Sequence, residues 1–246
     1  MRIYLPPELI IRGSGIVLPP DKSRHLATVL RCAEGDEISV IDGKGRSYLA
    51  RVTAILKKSV HVDILREVHT DTEPKVNILL CPAVLKGDKT DYVMQKATEL
   101  GVKEIVPLIT ERCQVRESRR TARWHKIAEE AAEQCGRAVI PVIHEPAAFE
   151  DFLKQAVSGS EYAGLIFMED GGLPPDEALA RTGRVNHRIL VLIGPEGGFS
   201  PSEAVMAEQA GFCRATLGAG ILRADTAAVA AVALTRFLAE RCIRAG

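Results

Sequence analysis

Two glycine-rich loops near the C-terminus constrain the fold more than any other feature of this sequence. The first follows an apolar run at 188–193 and reads Gly-Pro-Glu-Gly-Gly over 194–198. The second spans 217–227 and leads into an alanine-rich helical segment that reaches about Arg241. Strand–loop–helix turns gather backbone N–H groups at the carboxyl edge of a parallel sheet, where open α/β proteins bind ligands. The two loops therefore predict a small-molecule site in an α/β fold.

A polar, proline-containing stretch at 70–74 separates two patterns of secondary structure. Before it, short strand patterns flank a glycine-containing hairpin turn at 42–46, and a short helix covers 21–30 with Asp21 as its N-cap. These features predict a small β-barrel domain over 1–70. The predicted strands of this domain are 37–41, 47–55 and 60–65.

After that stretch, strands and helices alternate, which predicts a parallel sheet covered by helices on both faces. Gly101 and Gly136 are placed to close two of the helices, and Ser200–Glu203 has the pattern of a capping box. The second predicted domain runs over 74–246. Its predicted strands are 76–81, 104–108, 164–168 and 188–193, and its predicted helices are 91–100, 121–135 and one that begins at 200.

The composition is that of an ordinary globular protein. Of 246 residues, 46% are hydrophobic and 26% charged, with a formal net charge of zero. No apolar stretch approaches the roughly 20 residues that span a bilayer, and the first residues lack the pattern of a signal peptide. We therefore expect a cytoplasmic protein without a membrane partner. The six cysteines are widely spaced and the histidines form no ligand-spaced set, so we expect reduced, mostly buried thiols and no metal.

The glycine loops do not match the common nucleotide-binding motifs. The second loop begins like a dinucleotide fingerprint, but Arg223 occupies the third glycine position and no strand follows the helix. The sequence also has no phosphate-binding P-loop motif. In the first loop, the adjacent Gly197 and Gly198 allow the backbone to approach a ligand closely.

Several motifs together closely resemble the SPOUT methyltransferases, and in particular the RsmE-type branch that methylates N3 of one uridine in small-subunit ribosomal RNA. The resemblance spans nearly the whole chain. The family commonly has Glu where this chain has Asp225, and often a second His where it has Arg24. The matching segments are 25–31, 35–36, 86–89, 95–101, 129–134, 193–200 and 217–227.

This resemblance implies a PUA-like RNA-binding β-barrel over 1–70 and a methyltransferase domain over 74–246. The second domain would be an α/β fold with a deep C-terminal trefoil knot that holds S-adenosylmethionine. The implied partner is 16S ribosomal RNA or the small ribosomal subunit, and the implied assembly is a homodimer.

The resemblance also assigns residues to roles. Arg223 would stabilise negative charge on a uracil oxygen, and Glu196 would orient the substrate or assist proton removal. Residues predicted to contact RNA are Arg24, His25, Arg31, Lys86, Lys89 and Arg112. Residues predicted to contact S-adenosylmethionine are Met168, Glu169, Ile193, Gly194, Pro195, Gly197, Gly198, Leu217, Gly218, Ile221 and Leu222.

Two other functions remain open at this point. A SPOUT ribose 2′-O-methyltransferase for transfer RNA would share the cofactor loops, although the motif at 86–89, the motif at 95–101 and the N-terminal barrel argue against it. A non-catalytic RNA-binding protein would keep the loops only as a scaffold. Intact glycines in both loops favour an enzyme.

Overall fold

The computed structural model describes residues 1–10, 15–70, 72–115, 120–157, 162–183 and 188–245. The chain divides into two compact units by its contacts. The first comprises Met1–Glu73 with Glu129–Ile140, and the second comprises Pro74–Ala128 with Pro141–Gly246. Each unit is built on a sheet of its own.

The first unit contains a five-stranded sheet in the order β1-β3-β4-β5-β2, in which β1 and β3 are parallel and the other pairs antiparallel. Its apolar face packs into one core, with Val40 and Val62 fully buried. The predicted hairpin turn is confirmed: Asp42 Oδ1 accepts hydrogen bonds from the backbone N–H groups of Lys44 and Arg46. The strands are β1 Arg2–Tyr4, β2 Ile16–Val17, β3 Glu37–Ile41, β4 Ser47–Ile55 and β5 Val60–Val68.

The helix predicted over 21–30 is shorter and begins differently. Helix α1 covers Pro20–Arg24, and a π-helical turn follows over His25–Val29. Asp21 is not the N-cap, because Pro19 occupies that position and makes no side-chain cap. Proline at the first helical position has its φ already set for a helix, so the helix starts one residue before Asp21.

Residues 129–140 pack with the first unit, although they lie far beyond the predicted boundary at 70–74. The buried Lys22 donates hydrogen bonds to the carboxylates of Glu129 and Glu133. Arg137 forms an ion pair of 2.8 Å with Glu73. The change in sequence pattern at 70–74 gives no sign of these contacts, because they join residues more than sixty positions apart.

The second unit contains the predicted parallel sheet, with six strands in the order β13-β11-β12-β6-β7-β9. The prediction of one strand over 104–108 is wrong. This segment contributes to two short strands, β7 and β8, which are separated by Val106 and Pro107. Proline lacks the N–H group that a continuous ladder requires, and β8 pairs instead with β10. The strands are β6 Asn77–Pro82, β7 Glu104–Ile105, β8 Leu108–Ile109, β9 Val142–Ile143, β10 Ala147–Ala148, β11 Ala163–Phe167, β12 Arg188–Ile193 and β13 Phe212–Ala215.

Helices connect these strands, and local signals explain most of their ends. Gly101 and Gly136 follow two helices with φ of +86° and +88°, as expected of closing glycines. The capping box is confirmed, because Ser200 Oγ accepts from the Glu203 N–H and Glu203 accepts from the Ser200 N–H. The helices are α2 Lys89–Glu99, α3 Thr121–Cys135, α4 Phe149–Val157, α5 Pro175–Arg181, α6 Pro201–Gln209 and α7 Ala224–Ala245.

All six cysteines are free thiols. The expectation that they are mostly buried holds for Cys32, Cys81 and Cys113, whereas Cys135 and Cys242 are exposed. Within the described ranges, no group of His, Cys, Asp or Glu could hold a metal ion. Nor do those ranges contain a helix long and apolar enough to cross a membrane.

Candidate active site

A cavity of about 630 Å³ lies in the second unit, at the carboxyl ends of the neighbouring strands β11, β12 and β13. Its walls come from the residues that follow each strand: Met168–Asp170, Gly194–Gly198 and the loop at 216–223. Parallel strands bring their carboxyl ends to one edge of the sheet, which is where α/β folds bind ligands. The volume is within the range of small-molecule sites.

Every residue predicted to contact S-adenosylmethionine lines this cavity, as do Arg223 and Glu196. The structure thus brings these residues together, while their contacts with a ligand remain predictions. Arg214 on β13 also lines the cavity and was not predicted, because the local sequence pattern did not indicate a strand there. The other lining residues not predicted are Phe167, Asp170, Phe199, Pro201, Ala204, Val205, Thr216, Gly220, Ala224 and Ala227.

The three glycines of the first loop differ in their backbone conformation and in what a side chain would contact. Gly198 has a φ of +66°, a conformation that L-residues rarely adopt. A Cβ on Gly194 would stand 3.0 Å from the backbone nitrogen of Phe199, so the tight turn leaves no room for one. A Cβ on Gly197 would stand 3.4 Å from Arg112 Cβ. Gly197 therefore lies against the Arg112 side chain at an ordinary van der Waals distance and has no unusual backbone conformation.

Open space surrounds the positions where Gly218 and Gly220 of the second loop would carry a side chain. Gly218 has a φ of +109°, and no described heavy atom lies within 4 Å of a Cβ built on Gly218 or Gly220. Ile221 is 78% exposed at the cavity edge. Arg223 is also exposed and directly precedes α7, where its carbonyl accepts a hydrogen bond from the Ala227 N–H. Arg223 therefore precedes the N-terminal, positive end of the α7 dipole, a location that favours a negative ligand.

Glu196 is held by the residues that follow β6. Its Oε1 accepts hydrogen bonds from Lys89 Nζ at 2.8 Å and from the Lys86 N–H at 3.3 Å. Its Oε2 is buried and has no hydrogen-bond partner among the residues that the structure describes. Burial raises the pKa of Glu196, but the hydrogen bonds from Lys89 and from backbone N–H groups outweigh burial and hold the pKa below its ordinary value.

The lowered pKa gives a prediction for Lys89→Gln. Without the ammonium group, burial should dominate, so we expect the pKa of Glu196 to rise, as measured by NMR titration of the ¹³C-labelled carboxyl group. In the wild-type protein the ion pair of Glu196 with Lys89 stabilises the fold at pH values above the ordinary glutamate pKa. This contribution is lost as the pH falls through the lower pKa of Glu196 in the folded protein. Lys86→Gln is the matched control, because Lys86 contributes only its backbone N–H. Equal shifts in both variants would contradict the assignment.

The residues predicted to contact RNA fall in both units. Lys86, Lys89 and Arg112 surround the first glycine loop, and Lys89 and Arg112 line the cavity. Arg24 and His25 are exposed residues of the first unit, at the junction of α1 with the π-helical turn.

Arg31 stands out in the first unit because its backbone is strained. Its φ of +51° is the only positive value at a non-glycine residue among the described residues. The residue is exposed and lies two positions after the π-helical turn. π-Helical turns and strained residues are frequent at functional sites, and both features therefore support a functional role for this surface.

We expect Arg31→Gly to separate function from stability. Glycine accepts a positive φ without strain, so the free energy of unfolding should stay the same or increase by about 1 kcal/mol. If Arg31 contacts a phosphate, RNA affinity should fall and the slope of log K against log salt should decrease by about one unit. Arg66→Ala removes the same charge from an exposed position on β5 and serves as the control. An unchanged salt slope in Arg31→Gly would contradict a phosphate contact.

Two protein-family models match this chain. The family described as RNA methyltransferase domain matches residues 72–236. The family described as RNA methyltransferase PUA domain matches residues 18–65. The first match contains the whole set of residues that line the cavity.

Curated proteins named ribosomal RNA small subunit methyltransferase E are similar to almost the whole of this chain. The ribosomal RNA small subunit methyltransferase E of Rickettsia conorii is 33% identical over 98% of this chain and 97% of its own length. The protein of that name from Synechocystis is 31% identical over 97% of this chain and 78% of its own. The crystal structure of the Neisseria gonorrhoeae protein of that name, bound to S-adenosylmethionine, is 38% identical. It covers 96% of this chain and 97% of its own, with a TM-score of 0.88.

Proposed function

Because the chain belongs to the RNA methyltransferase family, and within it to the ribosomal RNA small subunit methyltransferase E group, we propose that it methylates N3 of a uridine in 16S ribosomal RNA with S-adenosylmethionine as the methyl donor. The observation that carries this proposal is the cavity at the carboxyl ends of β11, β12 and β13, enclosed by the two glycine loops.

The chemical groups in the cavity wall fit this cofactor. Glu196 Oε2 is a buried acceptor and Arg214 Nε a buried donor, and neither has a hydrogen-bond partner among the described residues. A ligand with an ammonium and a carboxylate group offers both missing partners. The apolar side chains of Ile193, Leu217 and Leu222 would hold the adenine, and the backbone at 194–198 and 217–222 would lie along the ligand.

S-adenosylmethionine supplies a methyl group on a positively charged sulfur, and the chain must present uracil N3 in line with that bond. The N3–H proton must leave before its lone pair can attack, so the transition state carries negative charge on the uracil oxygens. Arg223, at the edge of the cavity, is our candidate for stabilising that charge. N3 lies on the pairing edge of the base, so the uridine must be unpaired or flipped out to react.

Glu196 suits the orientation of a ligand better than the removal of a proton. Its lowered pKa makes it a weak base at neutral pH. Its buried Oε2 remains available to accept a hydrogen bond from a ligand N–H group. We therefore assign it the positioning of substrate or cofactor and leave the proton to solvent or to another base.

We also propose a homodimer that acts in the cytoplasm, where ribosomal RNA is modified. Helix α7 supports the dimer, since Leu234 and Phe237 are 42% and 58% exposed on it. Exposed apolar side chains on one long helix are typical of an interface between subunits. A two-fold dimer would place the same helix of each subunit against its copy.

Methyl transfer to purified RNAs tests the function directly. We would incubate the protein with methyl-labelled S-adenosylmethionine and small ribosomal subunits, protein-free 16S RNA or transfer RNA. We expect label in the small-subunit RNA, recovered as 3-methyluridine after digestion to nucleosides. Ribose-methylated nucleosides in transfer RNA would instead favour the 2′-O-methyltransferase. Binding of S-adenosylmethionine without transfer to any of the RNAs would favour a non-catalytic protein.

A further inference from the structure

Glu203 makes more contacts than the capping of a helix requires. Its side chain is buried, with Oε2 accepting from the Ser200 N–H at 2.9 Å as part of the capping box. Its second oxygen, Oε1, accepts from the backbone N–H of Glu111 at 2.8 Å. Glu111 lies in the turn that follows β8, ninety-two positions away in sequence. One carboxylate thus joins the start of α6 to a distant turn.

That turn carries Arg112, which lies along the first glycine loop. The Arg112 guanidinium donates a hydrogen bond of 2.8 Å to the carbonyl of Gly197. Its aliphatic stem packs beside the loop, where a Cβ on Gly197 would make an ordinary contact of 3.4 Å with Arg112 Cβ. The turn itself is fixed by Cys113, whose N–H bonds to the Thr110 carbonyl and whose buried thiol lies near the Thr110 hydroxyl.

We propose that Glu203 is a positioning residue of the cofactor site: through the turn at 110–113 it holds Arg112 against the Gly197 carbonyl and so fixes the first glycine loop. Arg112 then serves the cofactor loop rather than contacting RNA. The inference rests on the proposed function, because it assumes that S-adenosylmethionine binds in this cavity.

Glu203→Gln tests the hydrogen bond from Glu111 to Glu203 while a glutamine can still cap α6. A glutamine can complete a capping box as glutamate does, but it has an NH2 group in place of one of the two oxygens. With its oxygen on the Ser200 N–H, its NH2 group would face the Glu111 N–H and could not accept from it. We expect the Kd for S-adenosylmethionine to rise about three- to tenfold, the effect of one hydrogen bond. The KM for S-adenosylmethionine should rise by a similar factor, with kcat unchanged at saturating cofactor.

Two further variants link this effect to Arg112. Arg112→Ala should weaken cofactor binding at least as much as Glu203→Gln, and the double variant should be no weaker than Arg112→Ala alone. Arg112→Ala changes an exposed residue, so it keeps the proposal testable if Glu203→Gln fails to fold.

Ser200→Ala is the matched control. It removes the other half of the capping box and should lower stability by about 1 kcal/mol, while Glu203 Oε1 still holds Glu111. Its Kd for S-adenosylmethionine should stay within twofold of the wild-type value by calorimetry. An effect equal to that of Glu203→Gln would assign both losses to the helix cap and overturn the proposal.

Additive losses in the double variant would also overturn it. So would an Arg112→Ala protein with normal cofactor affinity and a reduced salt slope for RNA, since that result assigns Arg112 to a phosphate. Failure of the wild-type protein to bind S-adenosylmethionine at all would instead refute the proposed function. The two failures are therefore distinguishable.

Discussion

Replacing Arg223 by alanine is expected to reduce kcat for methyl transfer by about 100- to 1000-fold, while the Kd for S-adenosylmethionine stays within about twofold. Loss of one group that stabilises a developing oxyanion has an effect of this size. Arg223 is exposed and precedes α7, so its removal should not disturb the packing of the fold. Single-turnover rates with saturating RNA and cofactor would measure the chemical step, and calorimetry would measure cofactor binding.

Two other variants test whether the rate loss in Arg223→Ala comes from the missing guanidinium group. Arg223→Lys keeps the charge but loses the planar fork of donors, so it should recover only part of the rate. Arg181→Ala removes an exposed arginine from the end of α5 that is not among the residues lining the cavity, and it should leave the rate unchanged. A normal single-turnover rate in Arg223→Ala would contradict the catalytic role. A rate loss explained entirely by weaker cofactor binding would reassign Arg223 to the cofactor.

Replacing Gly220 by valine is expected to weaken S-adenosylmethionine binding on the order of 100-fold or more. Gly220 lines the cavity, and its φ lies outside the positive range that only glycine adopts readily. A Cβ there would meet no described atom within 4 Å, so the side chain would occupy open space rather than strain the fold. A valine there would occupy space that the bound ligand needs. Calorimetry and thermal unfolding would measure the two effects separately.

The control for Gly220→Val is Gly15→Val. Gly15 also has no positive φ, and a Cβ there would make only an ordinary contact of 3.8 Å with Asp63. It lies in the first unit and should leave cofactor binding unchanged. Wild-type affinity in a folded Gly220→Val protein would contradict the placement of the cofactor against the second loop. Loss of the unfolding transition would mean that Gly220 supports the fold instead.

Elements with strong local signals could be predicted closely from the sequence. β3, β4, β12 and α3 have the predicted bounds. A turn rich in Asp and Gly joins the first two strands, an uninterrupted apolar run forms β12, and a glycine follows α3. In each case the deciding interaction lies within a few residues of the element, where sequence patterns carry the information.

The features that escaped prediction depend on contacts between distant residues. No local pattern indicates that 129–140 pack with the first unit, or that Lys22 is buried between two carboxylates. Ser200–Glu203 was recognisable as a capping box, yet the contact of Glu203 with Glu111 depends on the way β8 and α6 come together. Lys89 could be recognised as basic, but its ion pair with Glu196 becomes evident only in the fold.

Mass mapping of methylated nucleosides in small-subunit ribosomal RNA tests the central claim most directly. RNA would be compared from cells that contain the protein, lack it, or carry only Arg223→Ala. We predict one uridine that gains a base methyl group at N3 only in the presence of the wild-type protein. The same methylated nucleosides in all three samples, or a difference confined to ribose methylation of transfer RNA, would contradict the account.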